Sequence, residues 1–145
     1  MSFKKILAVT ALGVLMWSLS MTAVYAASDK IGFIDTQRVL VAHPKYETSQ
    51  KYIDEFITKK TEEARAAAEK EPDQNKRLEI IDIARRESGR EEMKVMNPIT
   101  DEINKVIETV AKSKGVTIVL ERVYIFFGGV DLTDDVIKGV RAIKS

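Results

Sequence analysis

The stretch KIGFIDTQRVL, Lys30 to Leu40, constrains the fold more than any other part of the chain. Ile31, Phe33 and Ile34 are apolar strand formers, and Asp35 and Thr36 are placed to cap a following helix. A lone strand is not stable in water, so this one needs partners. The next strand-like run is VTIVLERVYIFFGG, Val116 to Gly129, some 80 residues later. That run is broken by Glu121-Arg122 and reads as two short strands or one bent strand. Everything between must leave the sheet and come back to it.

The intervening sequence is helical and strongly charged. Thr36 to Ala42 is a short helical lead-in, interrupted at His43-Pro44, and Pro44 suits the opening of a new helix. From Lys45 to Lys94 there are 12 basic and 13 acidic residues. A thin apolar stripe of Ile53, Phe56, Ile57, Ala64 and Ala67 runs through them at helical spacing. Glu47 with Lys51, Glu55 with Lys59 and Asp82 with Arg86 lie four apart in the favourable order, as on a solvated helix. Pro72 breaks that helix and Asp73 can cap the next, so the chain reverses there. The first helix, Tyr46 to Lys70, would be about 37 Å long. The second carries Leu78, Ile81 and Ala84, and then Met96, Ile99, Ile103, Val106 and Val110, whose steps of three and four form a heptad seam. Lys112, Lys114 and Gly115 supply cations and a left-handed residue for its end. Thr133, followed by Asp134 and Asp135, opens a last helix to Ile143.

The expected fold is therefore α+β: a small β-rich body, residues 27–43 and 97–145, with a long antiparallel helical hairpin arm, residues 44–96, whose tip is near Pro72. Such a body is near the lower size limit for independent stability, which favours self-association. Residues 1–26 have the layout of a secretory signal: Lys4 and Lys5, an apolar run, and small residues at Val24 and Ala26 suited to cleavage after Ala26. The alternative is an uncleaved anchor, since Ile6 to Ala27 is a 22-residue stretch without charge. Absence of cysteine excludes disulfides and a lipid-modified cysteine.

Composition argues against several functions. The whole chain has 23 basic and 22 acidic residues; loss of Lys4 and Lys5 with the leader brings it to about −1, which gives no support to nucleic-acid binding. The single His43, with Glu47 four residues on, is too little for a metal site. Glu62-Glu63 and Glu91-Glu92 are adjacent and point in different directions, as on a solvated helix. Gly128-Gly129 is too short for a phosphate loop and reads as a turn. No catalytic, cofactor or metal residue is expected. Tyr124, Phe126 and Phe127 suit a core or subunit interface better than a client patch. Ser88, Gly89 and Pro98 are hinge candidates: either the arm flexes there or it carries a fixed bend.

With these features in place, the chain resembles the Skp/OmpH family of periplasmic chaperones. The resemblance rests on KIGFIDTQRVLVAHPK and on NPITDEINKVIETVAKSKGVTIVLERVYIFFGGVDLTDDVI, where Asp35, Pro98, Gly115, Val116 to Phe127 and Asp131 to Thr133 follow the family's pattern. It implies a periplasmic homotrimer whose β-strands form a central body and whose arms enclose a cavity. In that cavity unfolded outer-membrane β-barrel chains would be held without ATP; weak contact with membrane surfaces is also implied. The arm departs from the family's basic arms in being charge-balanced, which implies weaker electrostatic capture of acidic clients. By the same resemblance the arm reads as shorter, which implies a smaller cavity. Expected client contacts are Ile53, Phe56, Ile57 and Ile81. Expected trimer and body residues are Ile31, Phe33, Val119, Tyr124 and Ile125, with Ile99, Ile103 and Val106 on the basal seam. The alternative reading is a structural or adaptor coiled coil of the envelope that binds one folded partner.

Overall fold

A computed structural model describes residues 29–144; the expected leader, residues 1–26, lies outside them. The elements in order are β1 (Ile31–Ile34), α1 (Thr36–Val41), α2 (Tyr46–Lys70), α3 (Gln74–Ser113), β2 (Ile118–Glu121), a 3-10 turn (Arg122–Tyr124), β3 (Val130–Asp131) and α4 (Thr133–Arg141). The sheet has order β2-β1-β3, and both pairings are parallel. Parallel neighbours require a long connection between them. Here α1, α2 and α3 together form the connection from β1 to β2.

Local chemistry sets each boundary. Asp35 caps α1, its carboxylate accepting from the Arg38 N–H at 3.0 Å. α2 stops because Glu71 precedes Pro72, which pushes it into extended backbone (φ −86°, ψ 120°). Asp73 then caps α3 by accepting from the N–H groups of Asn75 and Lys76, at 2.7 and 3.1 Å. Three residues thus separate α2 from α3, and facing partners run in opposite order along them: Tyr52 meets Glu91 and Lys60 meets Glu87. α3 runs unbroken through Ser88, Gly89 and Pro98. It ends in a Schellman motif, with Gly115 left-handed (φ 64°) and the Val116 N–H donating to the Ala111 carbonyl at 2.9 Å. Val116 and Ala111 are both buried in the core, the apolar contact that accompanies this motif.

The core lies between the inner face of the sheet, α1, α4 and the C-terminal half of α3. Its buried members are Ile34, Val39, Ile99, Ile103, Ala111, Val116, Leu132, Val136 and Val140, with Met96, Val106, Val110 and Val119 packed against them. The heptad seam is therefore filled by the chain's own α1 and α4. Ile99 and Ile103 are buried in this core.

Three expectations need correction. The strand-like run from Val116 to Phe127 forms only one strand, β2, because β1 pairs from Ile31 with Ile118 to Ile34 with Glu121 and then turns at Asp35 to cap α1. Beyond Glu121 there is no strand left to pair with, so Tyr124 falls in the 3-10 turn and Ile125 in the loop after it. The third strand instead follows the glycine pair, at Val130–Asp131. Thr133 is also not the cap of α4: Asp131 accepts from the Thr133 N–H at 2.9 Å, and the buried Thr133 hydroxyl accepts from the Asp35 N–H at 3.1 Å. That bond ties the start of α4 to the start of α1. The Thr133 hydrogen bond holds the Asp131 carboxyl below its ordinary range.

Candidate functional site

Among the described residues, two surfaces with exposed apolar side chains and the turn between α1 and α2 are the candidates for a functional site. The first surface is the seam between α2 and α3. Tyr52 and Phe56 are neighbours along α2, their rings tilted by 36° with centroids 6.3 Å apart, and the Lys60 ammonium lies 5.8 Å from the Phe56 ring centroid. Lys60 also reaches Glu87 across the seam at 2.9 Å, and the Tyr52 hydroxyl donates to Glu91 at 3.0 Å. The Glu91 hydrogen bond raises the Tyr52 hydroxyl above its usual pKa; the Glu87 bond likewise raises the Lys60 ammonium.

Further towards the tip, small side chains leave space in the seam. Ala64, Ala84, Ser88 and Gly89, with Ile57, Ile81 and Thr61 and the charged Arg85 and Glu92, border an open cavity of about 420 Å³. The four expected client contacts separate accordingly. Ile53 is only 3% exposed and serves the arm's own packing, so it is not available to a client in this arrangement. Phe56 is half-buried beneath Lys60. Ile57 and Ile81 line the cavity, and Ile81 is 38% exposed. The hinge candidates Ser88 and Gly89 lie on the same cavity.

The second surface is the outer face of the sheet and the loop that continues it. β1 buries Gly32 and Ile34 and turns Ile31 and Phe33 outward. On β2, Ile118 and Leu120 are exposed while Val119 packs on the core. Period-two alternation makes this division unavoidable once Ile34 is inside. Phe33 lies against Gly129, where an added Cβ would come 3.2 Å from its ring. Past the 3-10 turn, Val123 and Tyr124 are exposed, and Phe126 and Phe127 are 100% and 99% exposed. Gly128 and Gly129, both at positive φ, turn the chain back into β3. Tyr124 is thus absent from the single-chain core, and the outward set is Ile31, Ile118, Leu120, Val123, Tyr124, Phe126 and Phe127.

Between the two surfaces, His43 joins the α1–α2 turn to α3. Its Nε2 lies 2.9 Å from Glu102, whose other oxygen accepts from the Lys45 ammonium at 3.0 Å. The Lys45 bond, ahead of that from His43, holds the Glu102 carboxyl below its ordinary pKa. Sequence reading placed His43 in a turn and missed Glu102, because a contact across 59 residues leaves no local signal. Among the described residues, no group of three or more His, Cys, Asp or Glu could hold a metal ion.

A family model described as "Outer membrane protein (OmpH-like)" matches residues 57–140, from the middle of α2 into α4. No curated protein matches the chain.

Proposed function

The chain belongs to the OmpH-like outer membrane protein family, and on that basis we propose that it is an ATP-independent periplasmic holdase chaperone for unfolded outer-membrane proteins. The observation that carries this reading is the arm, in which α2 and α3 project from a small body and leave an under-filled seam bordered by Ile57, Ala64, Ile81 and Ala84. Scattered aliphatic contacts of this kind, set among charges of both signs, offer weak and repeated adhesion to an unfolded chain while keeping the complex soluble. A folded partner would instead call for one contiguous, well-packed patch. The arm is an antiparallel hairpin in this reading, and Ile57 and Ile81 are its client contacts.

The working form is a homotrimer held through the outer sheet face and the aromatic loop. Exposed apolar residues on the sheet face, followed in the loop by two fully exposed phenylalanines, support association through this side of the body. Assembly would leave the arms free and set them around a common space. Export by a cleaved signal completes the reading.

Native mass spectrometry of the purified protein, alone and after addition of a urea-unfolded outer-membrane barrel, tests both parts. A trimer that takes up one client chain is the expected result. A trimer that stays empty would favour an adaptor that binds one folded partner. Replacing Phe126 and Phe127 together by serine should shift the mass towards the single chain; an undiminished trimer would remove the aromatic loop from the interface.

A further inference from the structure

The cavity in the arm has an apolar lining from both helices, Ile57 and Ala64 on α2 and Ile81 and Ala84 on α3, and two charged residues on its border, Arg85 and Glu92. A closed cavity of about 150 Å³ holds a benzene ring, so an open one of about 420 Å³ has room for a large aliphatic or aromatic side chain. Gly89 adds to that room, since a Cβ placed there would meet nothing within 4 Å.

The two bordering charges differ from the others along the seam. Lys60 is paired with Glu87 and Glu63, and Glu91 is held by Tyr52 and Lys94. Arg85 and Glu92 are exposed and, among the described residues, enter no ion pair. Both belong to α3, where a spacing of seven residues puts them on one face, about 10.5 Å apart along the axis, with Arg85 towards the tip. The cavity therefore has a free cation at one end and a free anion at the other.

An extended segment matches this layout. Its alternate side chains point the same way and each residue advances about 3.3 Å, so positions i and i+4 stand about 13 Å apart with position i+2 midway between them. An apolar side chain at i+2 can enter the cavity while an acidic side chain on one flank meets Arg85 and a basic one on the other meets Glu92. The flexible stems of charged side chains take up the remaining difference of about 3 Å. Resting on the holdase reading above, we propose that Arg85 and Glu92 are specificity-determining residues of the arm: the cavity takes extended stretches of an unfolded chain in which an apolar side chain is flanked, two residues away on each side, by charges of opposite sign. A segment can lie along the groove in either direction, so the order of its two charges is immaterial and their opposition is what is read.

The test is a ¹⁵N NMR titration of the purified full protein with short peptides of equal length. Four carry a central leucine flanked at the two outer positions by Asp and Lys, by two Asp, by two Lys or by two Ser; a fifth has the Asp and Lys flanks around a central Ser. The Asp/Lys leucine peptide should shift amides of residues 57–64 and 81–92 and bind about tenfold more tightly than either like-charged peptide, and the central Ser should abolish its binding. Arg85→Glu should move the preference to the peptide with two Lys, and Glu92→Arg to the peptide with two Asp. Both positions are exposed on a helix, so neither change disturbs the packing of the arm. A preference that stays with Asp/Lys in either variant, or leucine peptides that all bind alike, overturns the proposal. Suppression of the aggregation of a urea-unfolded outer-membrane barrel is read beside it. Suppression without the peptide preference overturns the proposal and leaves the holdase reading standing; absence of both overturns the two together.

Discussion

Gly89 and Gly139 allow the same substitution to be predicted with opposite signs. Both lie inside helices, where alanine is favoured over glycine by about 1 kcal/mol if nothing obstructs the new methyl group. At Gly89 an added Cβ meets nothing within 4 Å, so Gly89→Ala should stabilise the protein by about that amount. At Gly139 it would land 2.5 Å from Val106 Cγ1, about 1–1.5 Å inside the ~3.5–4.0 Å separation of touching carbons. Val106 is β-branched and held in a helix, with one strongly preferred rotamer, so it cannot simply turn away. Overpacking of this kind costs about 1–3 kcal/mol, which cancels or outweighs the helix gain. The two alanine variants should thus differ by about 1–3 kcal/mol, with Gly139→Ala the less stable. Thermal or urea unfolding followed by far-ultraviolet circular dichroism, at one fixed protomer concentration, measures the difference. Adding Val106→Ala should relieve the clash and reveal a coupling of about 0.5–3 kcal/mol. If Gly139→Ala stabilises as much as Gly89→Ala, the close approach of α4 to α3 is refuted. A destabilising Gly89→Ala would instead show that α3 needs glycine there for a bend.

Thr133→Val keeps the buried shape but removes the acceptor for the Asp35 N–H; it should cost about 1–3 kcal/mol, seen as a lower urea midpoint at unchanged slope, whereas Thr133→Ser should lose less. Asp73→Ala removes the acceptor of two N–H groups at the start of α3 and should cost about 1 kcal/mol there, raising hydrogen exchange at the tip and leaving the body untouched. Glu102 has a folded pKa below its unfolded value, so the stability it contributes is complete above the ordinary glutamate range and is lost as the pH falls through its lowered native value. Acid unfolding of Glu102→Gln should accordingly be less steep below about pH 4.5 than that of the wild type, and equal slopes would count against the His43–Glu102–Lys45 contacts.

The parts of this fold that sequence could reveal are those with local causes. The range of α2 follows from Pro72, the start of α3 from Asp73, and its end from Gly115, each an effect within a few residues. The seam Ile99–Ile103–Val106 was legible as periodicity, but what fills it was not, since a heptad pattern is the same whether α4 or another copy of the chain packs on it. β-propensity could not reveal that the run after Glu121 lacks a partner, because strand length is set by β1 and not by the run itself. The two-residue β3 carries too little pattern to be read at all. Of the client candidates, helical spacing identified an apolar stripe without saying which members the facing helix would cover, and so Ile53 was placed with Ile81.

Parallel pairing has a mechanical result that none of these local signals contains. The arm is itself the connection from β1 to β2, so both its ends return to one sheet and no linker separates it from the body. α3 is a single helix that belongs to the arm at Gln74 and to the core at Ile99, and the boundary expected near residue 96 falls inside it. If the arm moves relative to the body, two places can take up the change. One is within α3, where Pro98 provides no N–H for the Lys94 carbonyl and so weakens the helix just before the core begins. The other is the short turn from Ala42 to Lys45, the one non-helical passage between α1 and α2. His43 clamps that turn to Glu102, about one helical turn beyond Pro98. If α3 bends at Pro98, α2 would move with it for as long as the His43–Glu102 contact holds the turn. Distance measurements between labels on the tip and the body test the first: Pro98→Ala restores the missing hydrogen bond and should narrow the distribution, and an unchanged distribution would refute a hinge at Pro98.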